Sequence, residues 1–257
     1  MALEVIDKGA CSAEHRVPLL FVHGATHAAW CWDDHFLGYF ADLGYRAVAL
    51  SLRGHGGSNS IPVGTCSIAD FVDDVASVAA GLPRVPVLIG HSMGGFVVQK
   101  YLESYLAPAA VLMASVPPRG MRGALLRSTV LRLRMRMSNP RQPVDVAELQ
   151  RVMFFHPDTT DDTVAECVAR LSTEAPSRAM LDMLGRNLPR PGRVRTPLLV
   201  LGGGDDRSVT RSEVCATARA YGMLAEIMLG MGHDMMLEPR WEAVAGHIDS
   251  WLAERGL

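Results

Sequence analysis

The chain has 257 residues, 49% of them apolar and 20% charged, with a formal net charge of −2 at pH 7. This suits one domain with a large core, and 25 Lys and Arg against 27 Asp and Glu exclude the basic footprint that nucleic-acid binding needs. No apolar stretch reaches the length of a membrane span, the first ten residues lack the basic start and long apolar run of a secretory leader, and the five cysteines (11, 31, 66, 167, 215) have no paired spacing. The expectation is a cytoplasmic protein with free thiols and no nucleic-acid partner.

In chain order, Ala2 to Asp7 and Ser12 to Val17 are predicted to form an antiparallel hairpin at a sheet edge. Six short, continuous apolar runs follow: Pro18 to Val22, Arg46 to Leu50, Pro86 to Ile89, Ala110 to Ala114, Pro197 to Leu201 and Ala225 to Leu229. Strands that are apolar on both faces belong to parallel sheets covered by helices. Helices are predicted at about 30–43, 67–81, 94–106, 210–221 and 239–254, with Ser67 and Thr210 as N-caps and Glu213 three residues after the latter. The prediction is an α/β fold with a mostly parallel sheet of about eight strands.

Residues 117–193 break this rhythm, holding no good strand and lying between Pro117-Pro118 and Pro189-Arg190-Pro191. They read as a helical cap inserted after the sixth strand, dividing the chain into a core of 1–116 and 194–257 and a cap of 117–193. Within the cap, Arg119, Arg122, Arg127, Arg132, Arg134 and Arg136 alternate with Leu125, Leu126, Val130, Leu131, Leu133, Met135 and Met137, the pattern of a basic amphipathic helix. Met135 and Met137 are expected to roof a pocket for an apolar substrate, because methionine adapts to varied shapes. Trp30 and Trp32 are expected in its wall.

The chemistry centres on GHSMG at 90–94, directly after the run ending at Ile89. A serine there stands on a strand-to-helix turn, which needs small flanking residues because the backbone is strained. Ser92 is the candidate nucleophile, with a helix N-terminus behind it to favour an anion. A serine needs a base, and the base an orienting acid. The loop after Leu201, GGGDDRSV, offers Asp205 or Asp206, and the loop after Leu229, GMGHDMMLEP, offers His233. In a parallel sheet both loops open on the same edge as Ser92. His23, His55, His91 and Arg53 are expected to fix loops. His23 and His27 are four apart, but no carboxylate and cysteine cluster completes a zinc site, so neither a metal nor a cofactor is expected.

The order serine, acid, histidine, together with HG at 23–24, RGHGGS at 53–58, GHSMGG at 90–95 and GHDMMLEP, resembles the α/β-hydrolase superfamily over nearly the whole chain outside 117–193. The resemblance implies Ser92 as nucleophile, His233 as base then acid, and Asp206 as orienting acid, because Gly203, Asp206 and Val209 match a G-x-x-D-x-x-V pattern; Asp205 is the alternative. It also implies an oxyanion hole made by the backbone N–H groups of Ala25 and Met93, each worth about 3 kcal/mol to the transition state. HGATHAAWCW and GHDMMLEP are particularly similar to the esterase and hydroxynitrile-lyase branch, whose lyases tend to have lysine where this chain has Asp234. The expectation is therefore a serine carboxylesterase for small or medium apolar esters. Two rivals stand beside it: a C–C bond hydrolase, lyase or cyclase using the same triad, and a non-enzymatic binder that kept the pocket.

Overall fold

The computed structural model describes residues 2–257. Seven strands form one sheet: β1 (Val5–Lys8), β2 (Leu19–Val22), β3 (Ala47–Leu50), β4 (Val87–His91), β5 (Ala110–Met113), β6 (Leu198–Gly203) and β7 (Ala225–Met228), in the order β1-β3-β2-β4-β5-β6-β7. β1 pairs antiparallel with β3, Val5 opposite Leu50, and every other neighbouring pair is parallel. The helices are α1 (Trp30–Asp33), α2 (Phe36–Asp42), α3 (Ile68–Ala80), α4 (Met93–Tyr101), α5 (Arg122–Ser138), α6 (Val146–Phe154), α7 (Asp161–Arg170), α8 (Ser177–Leu181), α9 (Arg211–Ala220) and α10 (Trp241–Ala253).

The continuous apolar strands divide their side chains between two cores, one on each face of the sheet. Leu19 and Phe21 of β2 point into a cluster with Trp32, Phe36, Phe40, Ile248 and Trp251, supplied by α1, α2 and α10. Leu20 and Val22 point the other way, into a cluster with Phe71, Val75, Phe96 and Val214 from α3, α4 and α9. Each large side chain fully buried in this way contributes about 1.5–3 kcal/mol. Both expected caps form: the Asp70 carboxylate accepts from the Ser67 amide while Ser67 Oγ accepts from the Asp70 amide, and the Glu213 carboxylate accepts from the amide and hydroxyl of Thr210. Among the described residues no helix is long and apolar enough to cross a membrane.

Two features of the predicted architecture are corrected. The sheet has seven strands rather than about eight, because Ser12–Val17 does not pair: the Ser12 amide bonds to the carbonyls of His15 and Gly44, and the His15 amide to Ser12 Oγ, closing a local turn instead. The helical stretch therefore follows the fifth strand, not the sixth. Between β5 and β6 the described residues form α5 to α8 and no strand, and Asp182–Arg186 widens into a π turn. The predicted helix at 30–43 is also broken, at His35, whose φ of −140° and ψ of −59° are not helical.

Candidate active site

β4 ends at His91, and the chain turns through Ser92 into α4. Ser92 has φ 52° and ψ −116°, a conformation that a residue with a side chain adopts only when its surroundings impose it, at about 1–3 kcal/mol. Its amide donates to the Met113 carbonyl on β5 and its carbonyl accepts from Val116, so the neighbouring strand end holds the turn. The glycines on either side are required by close approach. A Cβ on Gly90 would lie 2.7 Å from the Gly94 carbonyl oxygen, and one on Gly94 would collide with the Val22 and His23 carbonyl oxygens of β2 and its following loop.

The loops after β6 and β7 meet at this turn. His233 Nδ1 donates to Asp206 Oδ2 at 2.8 Å, and its Nε2 lies 3.0 Å from Ser92 Oγ. Asp206 is fixed in turn, its Oδ1 accepting from the amides of Ser208 (2.7 Å) and Val209 (2.8 Å). With Nδ1 protonated toward the carboxylate, Nε2 faces the serine hydroxyl as an acceptor. Asp205 is 43% exposed and turns to His156, 3.7 Å from its Nε2. Of the two adjacent acids, Asp206 is thus the one the structure brings to His233. Burial alone would lower the His233 pKa, but the Asp206 charge and hydrogen bond, with Asp234 and Glu238 beyond, outweigh it and raise the imidazole above its usual value.

The histidine loop is supported from three sides, of which the sequence pointed only to His91. The carbonyl of Phe154, at the end of α6, accepts from the amides of both His233 (2.7 Å) and Asp234 (3.0 Å). The Glu238 carboxylate, buried behind the loop, accepts from the amides of Gly232 and His156. His91 Nε2 donates to the His233 carbonyl at 3.0 Å, and Asp234 pairs with His27 at 3.1 Å. Burial works against the Asp234 charge, yet His27, His91 and His233 together hold its pKa below the usual carboxylate value. His27, His91 and Asp234 are close enough together to face one cation, but His91 Nε2 is engaged by the His233 carbonyl and Asp234 by His27, so these contacts act as a brace for the loop. His23 behaves as expected: Nδ1 donates to the Gly24 carbonyl and Nε2 accepts from the Leu52 amide, and burial depresses its pKa well below the usual value.

Ser92 opens on a pocket of about 150 Å³ lined mainly by apolar groups, among them Met121, Ala124, Phe154, Met180, Met183 and Val209. Ala25 and Met93 are part of its wall, and among the described residues neither backbone N–H has a hydrogen-bond acceptor. The predicted lining is corrected at four positions. Trp32 is fully buried against Phe21 and Phe36. Trp30 lies under the Arg170 guanidinium, 3.9 Å from its ring centre, outside the pocket. Met135 and Met137 sit on α5, none of whose residues is buried, and neither reaches the pocket. Besides Met93, the methionines that line it are Met121 before α5, Met180 on α8 and Met183 in the π turn after it; the three-residue spacing of the last two was present in the sequence but is shared by many core helices.

A seven-stranded, mostly parallel sheet with a strained serine turn after a central strand, and an acid and a histidine on later strand ends, defines the class. The sequence profile of the alpha/beta hydrolase family matches residues 19–247, and the chain belongs to that family. It is 38% identical over 106 residues to a non-heme chloroperoxidase of Streptomyces lividans, a match that covers 40% of this chain and only 38% of that protein's length. Over 264 residues it is 25% identical to the monoacylglycerol lipase of Mycolicibacterium smegmatis, covering 96% of this chain and 92% of the lipase. Among solved structures it is similar in fold to a thermophilic esterase from Thermogutta terrifontis, with a TM-score of 0.77 and 24% identity over 99% of this chain and 94% of the esterase.

Proposed function

We propose that the protein is a serine hydrolase that cleaves small or medium apolar carboxylic esters through an acyl-enzyme on Ser92. The observation that carries this reading is the unbroken line from Asp206 through His233 to Ser92 Oγ, at 2.8 and 3.0 Å, opening on an apolar pocket. Ser92 Oγ attacks the ester carbonyl as His233 Nε2 takes its proton. The imidazolium, stabilised by Asp206, returns that proton to the departing alcohol oxygen, leaving the acyl group on Ser92. Water, deprotonated by the same Nε2, then releases the acid and restores the serine. The unpartnered amides of Ala25 and Met93 would hold the carbonyl oxygen as it gains charge, at about 3 kcal/mol each.

Two further observations support this assignment. The pocket volume of about 150 Å³ is comparable to a cavity that takes a benzene-sized molecule, which favours a short acyl group. Asp234, where the lyases of the similar branch tend to carry a lysine, turns to His27 and is not part of the pocket lining. Residues 117–193 act as a cap in this reading, since Met121, Ala124, Phe154, Met180 and Met183 close the pocket over Ser92.

Hydrolysis of p-nitrophenyl acetate, butyrate and octanoate by the wild type and by Ser92→Ala tests it. The expected result is turnover favouring the two shorter esters, lowered at least a thousandfold in the variant. Absence of wild-type turnover on every ester, or its persistence in Ser92→Ala, would overturn the esterase reading in favour of triad-dependent lyase or cyclase chemistry or of ligand binding.

A further inference from the structure

α5 is apolar along two opposite stripes. Ala124, Ser128, Leu131 and Met135 form one, half-buried against the rest of the molecule. Leu126, Val130, Leu133 and Met137 form the other, on an arc of about 60° at 3.6 residues per turn, and they are 65%, 39%, 58% and 71% exposed. The inward stripe accounts for how the helix is held. Among the described residues nothing covers the outward one, and a contiguous exposed apolar strip of this kind marks an interaction site.

The charge around that strip identifies its occupant. Residues 117–144 carry seven arginines and no acidic residue, in a chain whose net charge is −2. Among the described residues only Arg127 of this run is ion-paired, to Glu213. On the helical wheel Arg134 lies on one side of the outward stripe and Arg132 and Arg136 on the other, so an apolar centre is bordered by free guanidinium groups. We propose that this face of α5 docks on an anionic lipid surface, with Leu126, Val130, Leu133 and Met137 entering the headgroup boundary and Arg132, Arg134 and Arg136 meeting the lipid phosphates. A second copy of the chain is a poorer partner, because a two-fold contact through this face would set one arginine run against the other. A nucleic acid would leave the apolar centre facing phosphates. Ala124 on the same helix lines the pocket, so the bilayer would lie about one helix diameter, roughly 10 Å, from the site that receives the apolar ester.

Vesicle flotation of the full chain tests the proposal without any substrate, and so independently of whether Ser92 hydrolyses esters. The probes are vesicles of phosphatidylcholine and vesicles of equal parts phosphatidylcholine and phosphatidylglycerol. Binding is expected to the anionic vesicles, weakening as salt rises, and little to the neutral ones. Arg132→Gln/Arg134→Gln/Arg136→Gln is expected to lower partitioning about fivefold per arginine, on the order of a hundredfold in all, and Leu126→Ser/Leu133→Ser by about tenfold per leucine. Solution hydrolysis of a soluble ester and the urea midpoint should match the wild type in both variants, since none of these residues is buried or lines the pocket. Failure of the wild type to float with anionic vesicles, binding that salt does not weaken, or undiminished binding by the arginine variant would overturn the proposal. So would a concentration-dependent dimer in sedimentation velocity that Leu126→Ser/Leu133→Ser abolishes, which would assign the face to a second copy.

Discussion

Replacing Glu238 with glutamine isolates the cost of one charge buried behind the histidine loop. The carboxylate is 1% exposed and accepts from the Gly232 amide at 2.9 and 3.0 Å and from the His156 amide at 2.9 Å. Burial nevertheless outweighs these bonds, and with the nearby Asp234 charge it raises the pKa from 4.5 to about 7, against a smaller opposing effect of His156. Between those two values the folded chain holds a proton that the unfolded chain has released. The stability this group contributes is therefore fully present below about pH 4.5, falls as the pH climbs, and is gone above about pH 7. A displacement from 4.5 to about 7 corresponds to about 3 kcal/mol. Glutamine keeps the shape and one acceptor oxygen but cannot ionise, and the other titrating groups are common to both proteins. The stability difference between Glu238→Gln and wild type is thus expected to move in the variant's favour by about 3 kcal/mol from about pH 4.5 to about pH 8. Urea unfolding followed by tryptophan fluorescence at the two pH values measures it. A difference that is the same at both, or that moves against the variant as pH rises, would refute the reasoning.

Asp206→Asn is expected to lower kcat on esters by about ten-thousand-fold, as loss of the orienting acid does in a serine triad, whereas Asp205→Asn, turned toward His156 and half exposed, should change it no more than about twofold; equal losses would show that the wrong acid had been assigned. His233 must be neutral to accept the serine proton, and its pKa is raised above 6.5. A pH profile of kcat/KM should therefore lose activity as pH falls through a midpoint above that value, and the residual activity of Asp206→Asn should have its midpoint displaced to lower pH, because the removed charge is what opposes the effect of burial.

The strands were legible because parallel strands buried on both faces need apolar residues at every position, and β2 through β6 meet that demand. The serine turn was legible for a steric reason: any Cβ at 90 or 94 meets backbone that cannot move. The preference for Asp206 over Asp205 came from the resemblance, whose G-x-x-D-x-x-V pattern Gly203, Asp206 and Val209 match, and the Val209 amide bonds to Asp206. Other readings failed where sequence proximity is a poor guide to direction. Trp32 follows the Ala25 loop in sequence but points into the core with Phe21 and Phe36. A helix with two apolar stripes does not say which one faces inward: Met137 lies on the outward stripe, and Met135 lies on the inward one but about three turns beyond Ala124, the residue of α5 that reaches the pocket, which Met121, Met180 and Met183 line instead. Ser12–Val17 has strand-compatible residues, but the segment closes on itself through Ser12 and His15, and among the described residues no strand pairs with the outer side of β1. The support of the histidine loop by the Phe154 carbonyl had no signature at all, since every residue carries the same acceptor.

That carbonyl ties the helices between β5 and β6 to the histidine loop more closely than a roof is tied to a room. The two amides that aim His233 and Asp234 end on one oxygen contributed by α6, and the Glu238 carboxylate reaches across to the same segment at His156. A chimaera that grafts 117–193 from a relative to reshape the pocket would also replace the peg on which His233 hangs. Such grafts should be judged first by whether the donor segment presents a carbonyl and an amide at the places of Phe154 and His156, and only then by the width of the opening it frames. In this architecture the residues that close the pocket and the oxygen that aims His233 belong to one stretch of chain.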